Sequence, residues 1–106
     1  MPQITFHQVD ASPFIRARIK ERAEKLVRFH ERITGCRVVV EAPHRHHHKG
    51  KLYSIAIDVK LPGGTVTSHR SPGNHHAHED IYVAIRDAFD AIERQIQDFV
   101  RRKGEP

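Results

Sequence analysis

Cysteine is nearly absent from this chain. Cys36 stands alone, so no disulfide can close within it, and a reducing cytoplasm is the simplest setting. No apolar run approaches the roughly 18 residues that a membrane span needs. The first residues, Met1-Pro2-Gln3-Ile4-Thr5, lack the basic-then-apolar layout of a signal peptide. There is no internal repeat, and no linker long enough to split the chain. Catalytic signatures are missing too: no nucleophile elbow, no phosphate-binding glycine loop and no His-Glu-x-x-His pair, which argues against an enzyme. Acid is the scarcer charge. Thirteen Asp and Glu stand against 18 Lys and Arg, giving a net charge of +5 at pH 7. With a pI near 9.8, the balance favours a polyanionic partner, nucleic acid or anionic lipid.

What is present reads as one globular domain spanning 1–106. The chain has 106 residues, 38% hydrophobic and 29% charged, enough for a modest single core. The longest regular pattern lies near its end, from His78 to Arg102. Large apolar residues recur there at 81, 85, 88/89, 92, 96 and 99/100, the period of a helix with one buried face. Asn74, a histidine-rich turn and Glu79-Asp80 mark its start. Arg101, Arg102 and Lys103 suit its negative end, and Gly104 stops it. Tyr82 and Phe89 fall at core spacing and are expected to pack.

Ile4 and Phe6, with Gln8 extending the pattern, alternate with Thr5, His7 and Val9 as a first strand. Ser12 then caps a helix that Pro13 opens, because proline at the first helical position gives up only an amide with no helical partner. Ile15, Ile19, Ala23, Leu26, His30 and Ile33 fall on one face, and Thr34-Gly35 is the expected stop. Val38-Val39-Val40 is β-branched and strand-like, with Cys36 expected as a small buried residue at its start. Tyr53 to Leu61 is apolar at odd positions and small or polar at even ones, the clearest strand signal in the chain. Pro62-Gly63-Gly64 is turn chemistry, and Thr65 to His69 is the return strand. Polar loops are expected over 43–50 and 70–78. The order is β-α-β-β-β-α: an α+β domain, a four-stranded sheet with both helices on one face.

From Ile4 to about Val100 these residues resemble the bacterial ribosome hibernation-promoting factors, the family of protein Y and the sigma-54 modulation proteins. The likeness is carried by the element order, by Lys25-Leu26 and Arg32-Ile33, by Val38-Val39-Val40, and most specifically by Asp80-Ile81-Tyr82 with Ala84-Ile85. The resemblance implies a fold similar to double-stranded-RNA-binding domains with an added strand. It implies binding to the small ribosomal subunit and its rRNA, in the channel used by mRNA and tRNA. Translation is then blocked without chemistry, and idle ribosomes are protected under stress or in stationary phase. Longer members carry a C-terminal domain that pairs ribosomes. This chain, ending at Pro106, is expected to lack that dimerisation domain.

On a helical wheel Arg18, Lys25, Arg28 and Arg32 form one stripe pointing away from the apolar face. Such a stripe can follow a phosphate backbone without reading sequence. The plainer alternative is a solvated face with ion pairs such as Glu21–Lys25 and Glu24–Arg28. On the last helix, Arg94 matches an arginine of the family pattern, whereas Ala91 and Asp98 stand where relatives often carry lysine. The main RNA surface is therefore expected on the first helix, extended by Arg94, Arg101, Arg102 and Lys103.

Histidine is the surplus residue. His44, His46, His47 and His48 fill one loop, and His75, His76 and His78 another. As RNA contacts, His46 and His48 would weaken as pH rises from about 6 to 8, near the unperturbed histidine pKa. The runner-up is a zinc- or nickel-binding module on the same fold, with His44, His46, His48, His76 and His78 as ligands if the loops meet. No cofactor, small-molecule substrate or membrane partner is otherwise expected. A third reading is a regulator that binds protein through its exposed sheet edge.

Overall fold

The period-two stretch at 54–61 becomes a strand, as its alternation predicts, and one of the two central strands of a four-stranded sheet. The structure, a computed structural model, describes residues 2–42, 45–46, 50–51, 53–70 and 80–104. The elements run β1 (Gln3–His7), α1 (Pro13–Phe29), β2 (Gly35–Glu41), β3 (Arg45–His46), β4 (Gly50–Lys51), β5 (Ser54–Leu61), β6 (Gly64–Arg70) and α2 (Ile81–Gly104). The main sheet has the order β1-β2-β5-β6. β1 lies parallel to β2, the result of the α1 crossover, and β2, β5 and β6 form an antiparallel meander. The expected β-α-β-β-β-α order is thus found. A two-rung ladder is added, Arg45 opposite Lys51 and His46 opposite Gly50, where the sequence predicts an uninterrupted polar loop.

Register decides which face is dry. Ile4 pairs Val38 and Phe6 pairs Val40; Val38 pairs Ile57, Val40 pairs Ile55 and Cys36 pairs Val59, which in turn pairs Val66. All of these point to one face, because residues directly opposite share a side of the pleat. Both helices cover that face with Ile19, Ala23 and Leu26 of α1 and Ile81, Ile85, Phe89, Ile92 and Ile96 of α2. Ile19, Ile55, Ile57, Ile85, Ile92, Ile96, Val38, Val40 and Val59 are sealed from solvent. Each contributes about 1.5–3 kcal/mol of transfer free energy, so the core needs no disulfide or metal.

Local chemistry sets the boundaries. Ser12 Oγ accepts from the N–H groups of Phe14 and Ile15 at 3.1 and 3.4 Å. Asp80 Oδ1 accepts from Tyr82 and Val83 at 2.9 and 3.4 Å, so it caps α2 rather than sitting in its first turn. The Pro62-Gly63 turn joins β5 to β6, and Gly63 supplies a φ of +96° that other residues adopt only with strain. Gln8, expected to extend β1, instead has a φ of 58° and turns the chain out of the sheet.

The first helix is shorter than the apolar spacing implies. It stops at Phe29, and His30 caps it with φ −132° and ψ 81°. The Thr34 N–H donates instead to the carbonyl of Lys60 on β5 at 2.8 Å. Sheet pairing takes over before a β-branched pair, Ile33-Thr34, could extend the helix. Ile33 still packs on the core, but from the connection. No helix among the described residues is long and apolar enough to cross a membrane.

Candidate nucleic-acid interface

The sheet topology makes the two helices run side by side in one direction. Each follows a strand, and β1 and β6 are parallel to one another through β2 and β5. Contacts across the helix pair agree. The Arg18 guanidinium lies 5.0 Å from the Tyr82 ring centroid near the start of both helices, a cation–π contact. Further along, His30 Nε2 lies 3.3 Å from Glu93 Oε2.

The outward face of α1 carries the predicted cations. Arg18, Lys25 and Arg28 are all exposed, opposite buried Ile19, Ala23 and Leu26. Arg18 Nε makes an ion pair with Glu21 at 3.4 Å. Neither of the alternative pairs, Glu21–Lys25 or Glu24–Arg28, forms. Among the described residues, Lys25 and Arg28 have no carboxylate at ion-pair distance, which leaves both charges facing solvent on a rigid element. Arg32 is a correction to the stripe. It lies in the turn after α1, because the helix ends at Phe29. It reaches instead the far end of the molecule, where it lines a cleft with Leu61, Pro62, Phe99 and Lys103.

α2 is less available. Arg94 is exposed with no ion pair among the described residues. Arg101, expected to extend the grip, is held by Asp98 at 2.9 Å. Arg86 is held by Asp87 at 3.2 Å. Lys103 lies 5.7 Å from the Phe99 ring centroid. Asp98 therefore takes up one of the cations of this face.

On the other face of the sheet one cation is matched and another, exposed Lys60, has no ion pair among the described residues. Arg37 Nη2 donates to Asp58 Oδ2 at 3.0 Å, and Thr67 Oγ1 donates to Asp58 Oδ1 at 2.9 Å. The Arg37 hydrogen bond holds the Asp58 carboxyl below its ordinary pKa against the opposing effect of burial, with a further lowering from Thr67. Cys36 is buried, and burial pushes its thiol pKa up, the opposite of what a nucleophile needs. Sequence reasoning missed two contacts. Ser54 Oγ and His69 Nε2 lie 3.0 Å apart on this open face, a diagonal that becomes visible only with the β5–β6 register. Tyr82, expected in the core, is 37% exposed under Arg18 while Phe89 is buried as expected. The α2 apolar stripe is wide, and its α1-side margin is open to solvent at the first turn.

Of the histidine candidates, His44, His48, His76 and His78 lie outside the described residues. For His46 only the backbone, in β3, is described. What is placed is where the two segments leave the sheet. Glu41 at the end of β2 pairs Ser54 at the start of β5, and Ile55 pairs Arg70 at the end of β6. Both segments thus depart from one end, the end at which both helices begin. Among the described residues no three His, Cys, Asp or Glu converge as a metal site.

Comparison with known proteins gives this geometry a context. The chain is 27% identical over 100 residues to a ribosome hibernation promotion factor of Deinococcus radiodurans. The match covers 94% of this chain and 49% of that protein, so the chain spans about half the length of that curated relative. A ribosomal subunit interface protein from Coxiella burnetii has the same fold, with a TM-score of 0.73 at 19% identity, over 94% of this chain and 97% of that one. So does the N-terminal domain of Thermus thermophilus protein Y, with a TM-score of 0.70 at 23% identity, over 92% and 94%. One family matches residues 3–103, from the start of β1 to one residue short of the end of α2. The protein belongs to the sigma 54 modulation protein / S30EA ribosomal protein family.

Proposed function

We propose that this protein is a cytoplasmic, ribosome-associated hibernation factor that occupies the mRNA/tRNA channel of the small subunit and stops translation by occupancy rather than catalysis. Family membership supplies the ribosome. One observation of the chain supplies the grip: Lys25 and Arg28 stand unneutralised on the outer face of α1. In this reading Arg18, Lys25 and Arg28 hold rRNA phosphates. Arg32 and Arg94 extend the contact, Arg101 does so after releasing Asp98, and His46 and His48 reach a second rRNA segment. Phosphate contacts of this kind position a protein by charge and shape and need no base sequence.

Co-sedimentation with purified small subunits over a salt series, at constant magnesium, tests the reading. Six phosphate contacts predict a slope of about −4.2 to −5.4 in log affinity against log salt. Failure to bind small subunits at low salt overturns it.

A further inference from the structure

The basic stripe of α1 begins on an aromatic residue. Phe14 lies four positions before Arg18 and within about 40° of Arg18, Lys25 and Arg28 on the helical wheel. It is 77% exposed, the most open large apolar side chain described. A lone exposed Phe is ordinary. This one is not alone: Phe14, Ala17, Arg18, Glu21 and Tyr82 line a single shallow cleft. Tyr82 enters from α2, 37% exposed, with the Arg18 guanidinium 5.0 Å from its ring centroid. Two aromatic rings and a cation thus converge from two helices that the sheet holds in place. Ala17 leaves the surface between them low.

We propose that this cleft seats one unpaired rRNA base, stacked on the Phe14 ring, with the adjoining phosphate on Arg18. The inference rests on the ribosomal reading and gives it a specific contact. Aromatic faces stack on any base, and a guanidinium beside the ring neutralises the backbone that carries it. Charge selects this occupant over an apolar peptide. The cleft lies on the same helix stripe as the exposed Lys25 and Arg28 cations, with Phe29 the one other large exposed apolar side chain on that stripe, and Phe14 to Arg28 spans about 21 Å of helix, room for a few nucleotides of one strand. The Glu21 carboxylate that now meets Arg18 at 3.4 Å is exposed and yields to a phosphate.

Two variants of the full chain test the site. F14A should bind small subunits about 5- to 150-fold more weakly, the range expected for one lost base stack, with an unchanged salt slope because no counterion is involved. Circular dichroism should match wild type, since the side chain is largely outside the core. F14W introduces the chain's one indole, as the sequence has no tryptophan. Its emission should be quenched on binding subunits, and also by single-stranded oligoadenylate but not by duplex RNA. Wild-type affinity for F14A overturns the seat and leaves the ribosomal reading standing. Brightening with a blue shift for F14W on subunits also overturns it, because the occupant is then apolar protein. If wild type fails to bind subunits, the ribosomal reading falls, and quenching by oligoadenylate alone separates the two failures.

Discussion

Neutralising Lys25 and Arg28 together, as K25Q/R28Q, removes two cations on the outer face of α1 that no carboxylate among the described residues meets. Both are exposed and neither has an ion-pair partner among the described residues, so the fold should not notice the change. Surface substitutions of this kind usually move stability by less than about 0.5 kcal/mol. Binding is where the cost should appear. Each phosphate contact contributes about 0.7–0.9 to the slope of log affinity against log salt, so losing two should flatten the slope by about 1.4–1.8. At roughly 0.1 M salt the same release is worth 25- to 60-fold in affinity, about 2–2.4 kcal/mol. Co-sedimentation of wild type and variant with small subunits at four or five salt concentrations measures both quantities. R37Q is the internal control. Arg37 lies on the opposite side of the sheet, already matched to Asp58 at 3.0 Å, and its loss should leave both slope and affinity alone. A K25Q/R28Q protein with wild-type circular dichroism, wild-type affinity and an unchanged slope would show that α1 does not face RNA. A loss in R37Q as large as in K25Q/R28Q would move the surface to the open sheet.

Asp58 links stability to acid. Its folded pKa lies below the unfolded value, so its contribution is complete above about pH 4 and is lost as pH falls from there through the folded pKa. D58N should lower the urea midpoint at pH 7 by an amount equivalent to about 1 kcal/mol or less, because Arg37 is more than half exposed. Near pH 3 the gap to wild type should narrow, and an unchanged gap would refute the linkage. Cys36, with its thiol pKa raised by burial, should react with a thiol reagent far more slowly in the native protein than in urea; equal rates would contradict its placement. Gly63→Ala should cost about 1 kcal/mol in thermal or chemical unfolding, because alanine meets the left-handed conformation that glycine adopts freely at φ +96°.

The strands were legible because their chemistry is local. Alternation at 54–61, β-branching at 38–40 and Pro62-Gly63 each fix a short-range choice, and the dry face follows by counting in twos. The α2 stripe was legible for the same reason, and so was acid at its start, though Asp80 turns out to cap the helix rather than to sit in its first turn. Where the sequence misled, the deciding partner was distant. Ile33 keeps helical spacing from Leu26, yet Lys60, far along the chain, takes the Thr34 amide, and Arg32 goes with the turn. Tyr82 keeps core spacing from Phe89, yet Arg18 on another helix covers only part of its ring, and the rest stays open. The interface was half legible. A wheel finds Lys25 and Arg28, but whether a cation is free depends on where every nearby carboxylate points. Spacing predicts Glu24–Arg28; the side chains instead leave Arg28 alone and give Glu21 to Arg18.

That distribution of carboxylates says how the domain should sit on a polyanion. Net charge does not, because both faces of the molecule carry cations. The sheet face has Arg37, matched by Asp58, and an exposed Lys60 with no ion pair among the described residues. The outer surface of α2 has Arg86 and Arg101, each on a neighbouring aspartate, and Arg94 with no ion pair among the described residues. A polyanion approaching either meets one such free cation but must displace a carboxylate at the others, so part of the attraction is cancelled. Along α1 from Lys25 to Arg28 nothing need be displaced. Salt-sensitive attraction should therefore be strongest there, and the molecule should turn its helix side inward and its threonine-rich sheet face out. The parallel course of the helices then puts both of their N-terminal ends, and the sheet end from which the two histidine-bearing segments depart, on the same side of that contact. Phe14 and the histidine segments would meet one stretch of RNA, while Arg32 and Lys103 meet another at the far end of the sheet.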